Sequence, residues 1–78
     1  MEAVEVIARF EADGKIFPTS FTWKGQTYPV ISVGRRWTDS DGQHILVMVP
    51  GDNVFELLFN PSAGIWQLVR PGKERLAA

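Results

Sequence analysis

The run FPTSFTWKGQTYPVISVGRRW, from Phe17 to Trp37, decides how this chain folds. It reads as two strands joined at Lys24-Gly25, where the glycine supplies the positive φ that a two-residue hairpin loop needs. That turn sets Phe21 opposite Tyr28 and Thr19 opposite Val30, an aromatic and β-branched patch across the pair. On strict alternation Phe17, Thr19, Phe21 and Trp23 share a face, and Pro18, which has no N–H to give, belongs at an edge or a bulge. Gln26 to Trp37 is too long for one flat strand, and Gly34 is the expected bend. Strict alternation puts Val33, Arg35 and Trp37 on one face and Gly34 and Arg36 on the other, and a bulge at Gly34 changes that register.

Outward from this run the same grammar continues. Before it, Val4 to Glu11 alternates, with Val4, Val6, Ala8 and Phe10 on one side, Glu5, Arg9 and Glu11 on the other, and Ile7 an apolar exception. Asp13-Gly14 then turns the chain into the second strand. After it, Thr38 to Gly42 is a polar hairpin loop. His44 to Val49 reads HILVMV, apolar on both faces, and so is central in the sheet or lies in a barrel wall covered from both sides. Pro50 to Asn53 is a turn cluster. In VFELLFN, Phe55, Leu57 and Phe59 face inward, Glu56 and Asn60 outward, with Leu58 a second apolar exception. Asn60 to Gly64 is a hairpin loop with proline placed to start a type I turn and glycine for the left-handed residue. Ile65 to Arg70 closes the series, with Trp66 and Leu68 on one face.

No segment carries a helical stripe. Six short strands on tight turns predict an all-β antiparallel meander, closed or strongly bent into a small barrel of SH3-like or related kind. An open curled sheet that dimerises is the alternative, because Ile7, Leu58 and the two-faced HILVMV run each leave apolar surface for a partner. Residues 1–70 form the single domain and 71–78 a flexible tail.

Without cysteine among its 78 residues the chain has no disulfides and no thiolate metal site, so an aromatic-rich core or self-association must stabilise so small a domain. The absence of any long apolar run, and an acidic, alternating N-terminus, predict a cytoplasmic protein without membrane association. Net charge is −1, but it is segregated: −3 over residues 1–13, +4 over 14–38, −4 over 39–57 and +2 over 58–78. Such blocks make either a two-sided surface or cross-strand ion pairs.

The combination of PTSFTWKGQTYPV, VGRRW and FELLFNPSAGIWQLVR resembles a family of small bacterial all-β domains of unknown function. In that family an F-x-W-x-G-x-x-Y-x-V core and a P-x-x-G-x-W closing hairpin recur. The resemblance spans roughly residues 8–70. Members stand alone or follow the C-terminus of translesion-polymerase-like proteins, so the resemblance implies a bacterial source and, by association, DNA transactions. Its shared residues are turn and core positions, which speak to fold before function.

Enzymatic readings find little material. His44 is the single histidine and reads as a strand-end surface residue, too little for a Ser-His-acid system or a zinc site. Asp39, Asp41 and Asp52 sit in turn clusters where Asp serves the backbone, which argues against pairing them with Glu56 as catalytic carboxylates. Asp39-Ser40-Asp41-Gly42 lacks the spacing of a calcium loop, since Pro50 falls where the twelfth-position Glu belongs. The expectation is a binding module that is not an enzyme and needs no cofactor. A protein partner or a second copy is the first expectation. The alternative is weak single-stranded nucleic-acid binding through Lys24, Tyr28, Arg35 and Arg36, with Trp23 and Trp37 as stacking surfaces or as core.

Overall fold

A computed structural model describes residues 2–70, apart from the Arg70 side chain; the tail expected over 71–78 lies outside the described residues. The architecture is all-β, as the turn spacing predicts. Among the described residues it has seven strands rather than six: β1 (Glu2–Phe10), β2 (Ile16–Trp23), β3 (Gln26–Pro29), β4 (Ser32–Asp39), β5 (Gly42–Val49), β6 (Asn53–Asn60) and β7 (Ile65–Arg70). They form one antiparallel, strongly curled half-barrel sheet in the order β3-β2-β1-β7-β6-β5-β4.

The extra strand comes from the expected long one, which breaks after Pro29, between β3 and β4. At the break the Val30 N–H donates to Thr19 O (3.0 Å) and the Ile31 N–H to Met48 O (2.8 Å). Consecutive amides thus bond to β2 at one margin of the sheet and to β5 at the other. Gly34 plays the second of its expected roles: Val33 pairs with Val47 and Arg36 with Ile45, leaving Gly34 and Arg35 together opposite Leu46 in a bulge. Val33 and Arg36 therefore lie on the core face, against strict alternation, and Trp37 joins His44 on the other.

The Lys24-Gly25 hairpin forms as its sequence demands. Both residues have positive φ (52° and 76°), the type I′ geometry, and Phe21 pairs with Tyr28. Upstream, β2 departs from simple alternation. Ile7 pairs with Ser20 but Ala8 with Pro18, so Thr19 is an extra residue beside the proline. Ile16, Pro18 and Phe21 turn inward while Phe17 is half-buried and Thr19 exposed, which separates Phe17 from the face it was expected to share.

The core gathers Ile16, Phe21, Ile45, Val47, Val49, Phe55, Leu57, Trp66 and Leu68. Phe55 packs edge-on against Phe21 and Trp23, and Tyr28 stacks on Phe21 at 5.2 Å. The opposite face of β5 and β6 also carries buried side chains, the covered setting that the HILVMV run allows, and the outward exposure expected of Leu58 is corrected. Leu58 is only 2% exposed, on a strand paired on both sides, with His44 and Gln67 as its cross-strand neighbours.

Candidate functional site

The four residues proposed for nucleic acid divide into two places. Lys24 and Tyr28 share the β2–β3 hairpin. The Lys24 ammonium lies 4.9 Å from the Trp23 ring centroid, and Tyr28 packs against Trp23, Phe21 and Phe55 as part of the core wall. Arg35 and Arg36 belong to β4 and diverge at the bulge. Arg35 is exposed, its guanidinium 5.0 Å from the Trp37 centroid. Arg36 is half-buried, 4.5 Å from the Phe17 centroid, and donates to the Ile16 carbonyl, tying β4 to β2. Trp23 and Trp37, whose exposure the sequence left open, are both half-buried with a cation against the ring. Arg36 has a structural task, and the four residues make no single patch.

A polar cluster that the sequence reading missed lies on the covered face of β5 and β6. His44 is not a strand-end surface residue: it is 7% exposed, and Glu56 is 5% exposed. The Trp37 indole stacks on the imidazole at 4.9 Å and 5°. Nδ1 is 2.8 Å from Glu56 Oε2. Nε2 is 2.9 Å from Asp39 Oδ2, an ion-pair distance, but that oxygen lies off the ring N–H direction and acts as a neighbouring charge. Burial pulls the His44 pKa down, but the hydrogen bond to Glu56 and the Asp39 carboxylate outweigh it, and the net is upward from 6.5. Asp39 is held below 3.8, first by the Asp41 amide that donates to it and then by His44. The cluster sets the imidazole between two carboxyl groups, Glu56 at Nδ1 and Asp39 beside Nε2. The carboxylates approach opposite ring edges, and among the described residues no group of His, Asp and Glu converges to hold a metal ion.

The signal for this cluster was present in the hairpin turns. Propagating the Asp39-to-Gly42 turn outward pairs Trp37 with His44, and propagating the Val49-to-Asn53 turn pairs His44 with Leu58 and Leu46 with Glu56. Glu56 is then the diagonal neighbour of His44 on the same face.

Besides the outer edges of β3 and β4, the sheet has an unpaired stretch within it, on β1. β1 changes partner along its length: Glu2 to Val4 pair with β7, and Glu5 to Phe10 pair with β2. From Glu5 onward the β7-facing edge has no ladder partner. Among the described residues, backbone hydrogen bonds outside the ladders involve none of the groups of Val6, Ala8 or Phe10. A shallow cleft of about 580 Å³ opens where β7 diverges, lined by Val4, Glu5, Val6, Gly64, Ile65 and Trp66 together with the end of the β2–β3 hairpin. Ile65 in its lining is exposed, and further along β1 so are Ile7 (68%) and Phe10, whose ring also meets Phe59 edge-on.

Comparison with known proteins returned no matching family model, no matching curated protein and no matching solved structure. Among the described residues no helix is long and apolar enough to cross a membrane.

Proposed function

We propose that this chain is a small β-barrel interaction module that engages another polypeptide by strand addition at the open edge of β1. The observation that carries it is the conjunction at Glu5 to Phe10 of a strand edge without a ladder partner and exposed apolar side chains around it. An edge of this kind gives affinity through main-chain hydrogen bonds and selectivity through alternate side chains. The near-neutral net charge of −1 suits protein association without global attraction to nucleic acid or anionic membranes. The accessory role implied by the resemblance to bacterial domains that follow translesion-polymerase-like proteins belongs to the same proposal, as does a cytoplasmic setting.

Amide hydrogen exchange on the dilute protein tests the edge itself. The Val6, Ala8 and Phe10 amides should exchange rapidly while those of Ile7 and Arg9, turned toward β2, are protected. Slow exchange at Val6 and Ala8 in a dilute monomer would mean the edge is closed and would overturn the reading.

A second reading is single-stranded nucleic acid at the cation-bearing aromatics. Lys24 on Trp23 and Arg35 on Trp37 favour it, each an indole beside a positive charge. It ranks below the first because the two places are separate and Arg36 is engaged with Ile16 and Phe17.

A further inference from the structure

The occupant of the β1 edge can be read from β1 itself. Glu11 N–H donates to Lys15 O across the β1–β2 hairpin, and Ile7 O accepts from the Thr19 hydroxyl. Main-chain groups alternate sides along a strand, so those of Ile7, Arg9 and Glu11 face β2. Those of Val6 and Ala8 face the open edge. The segment Glu5-Val6-Ile7-Ala8-Arg9 is complementary to itself when reversed.

Resting on the strand-addition reading, we infer that the partner is a second copy of this chain, its β1 antiparallel to the first about a two-fold axis through Ile7. In this register Val6 faces Ala8 of the other copy, and the free N–H and C=O groups of both are satisfied twice over, once on each side of the axis. Ile7 meets Ile7 in a non-hydrogen-bonded pair, where Cα atoms come within about 4.5 Å and side chains are closest. That buries the most exposed large apolar side chain among the described residues, 68% accessible in the single chain. Glu5 falls opposite Arg9 of the other copy, and Arg9 opposite Glu5, so one interface holds two opposite-charge pairs. Arg9 is 61% exposed at the side chain, and in the dimer it exchanges its solvent-exposed pair with Glu11 and its contact with the Phe17 ring for Glu5 of the other copy.

Other registers lack this match. Centring on Ala8 sets Glu5 against Glu11, and centring on Arg9 sets Arg9 against itself, each a like-charge contact. The interface is isologous, as a two-fold pair requires. It is also short, so association should be weak and concentration-dependent.

The absence of cysteine from the chain makes a clean test. Cα atoms about 4.5 Å apart fall within the range a disulfide spans. Ile7→Cys should therefore oxidise to a disulfide-linked dimer, while Ile31→Cys, also exposed but remote from this edge, should stay monomeric. Glu5→Arg should weaken dimerisation measured by sedimentation about tenfold, and Glu5→Arg with Arg9→Glu should restore it. Circular dichroism confirms that each variant folds. A dimer in which Ile7→Cys fails to cross-link, or in which the double swap fails to rescue, would overturn this register and leave open-edge pairing with some polypeptide standing. A strict monomer at every concentration, with rapid exchange at Val6 and Ala8, would overturn the second-copy partner alone. Slow exchange at those amides in the monomer would remove strand addition altogether.

Discussion

His44 and Glu56 meet 2.8 Å apart on a covered face of the sheet, each almost without solvent contact. A buried pair of this kind adds little over apolar residues of the same shape, yet removing one member leaves the other short of a buried hydrogen bond. Glu56→Ala should lower unfolding free energy by about 3 kcal/mol, and His44→Leu with Glu56→Leu should recover most of that loss. Urea denaturation of the three proteins checks it. A double variant no better than the single would show that the pair does more than satisfy itself.

The same cluster sets the pH dependence. His44 is raised in the folded state, so its stabilisation is complete below its unfolded value near 6.5 and is lost as pH rises through the folded value. Asp39 is lowered, so its share is present above 3.8 and is lost as pH falls through its folded value. Stability should therefore be greatest between these limits and decline on the alkaline side. His44→Gln should flatten the alkaline limb and shrink the acid limb only in part, since the Asp41 amide still holds Asp39 down, as read from denaturation midpoints across pH.

Gly42 and Gly34 should behave oppositely. A Cβ on Gly42 would sit 2.3 Å from the Phe59 carbonyl oxygen, with φ at 139°, so Gly42→Ala forces the β4–β5 turn away from β6. It should cost about 3 kcal/mol or more. A Cβ on Gly34 meets nothing closer than 3.8 Å, so Gly34→Ala should change stability by less than about 1 kcal/mol. Thermal melts of the two variants decide it.

Lys24 occupies the first position of a type I′ turn at a φ of 52°, where Asn is better suited. Lys24→Asn should stabilise the fold by about 0.5 kcal/mol. The same substitution removes a cation from Trp23, so a titration with a short oligonucleotide tests the nucleic-acid reading on a protein at least as stable as the original. Arg35→Ala should likewise leave the fold intact. Arg36→Ala should destabilise it by about 1–2 kcal/mol through loss of the Ile16 bond and the Phe17 contact. A drop in oligonucleotide affinity counts for a nucleic-acid face only if Lys24→Asn or Arg35→Ala produces it.

Where the sequence was legible, the determinants were local. Lys24-Gly25 forms its turn because two adjacent residues accept positive φ, and Asn60 to Gly64 closes its loop through the Asn60 side chain and the left-handed Gly64. Phe21, Leu57 and Trp66 went inward because period-2 alternation survives wherever pairing is regular. It misled where an extra residue entered the ladder, at Thr19 beside Pro18 and at Gly34-Arg35, since a bulge shifts every side chain beyond it. Its place at a strand end beside a loop put His44 at the surface. Its burial follows from two hairpin registers acting together, a relation visible only when both are carried across β5. The open edge of β1 was the least legible of all, because it depends on where β7 leaves the strand, and only Ile7, the apolar misfit, marked it.

The adjacent amides of Val30 and Ile31 have a mechanical consequence. Most sheets unzip from their outermost strands, which hold on by one side only. Here those two strands are successive in the chain, and the dipeptide between them is bonded in opposite directions. Lifting either one loads the other, so fraying from the margins is cooperative and costly. The line of easiest parting moves to the middle of the sheet order, to the point between Val4 and Glu5 where β1 exchanges one neighbour for another. Under tension or partial denaturation the molecule should open there first, like a ring parting at its clasp.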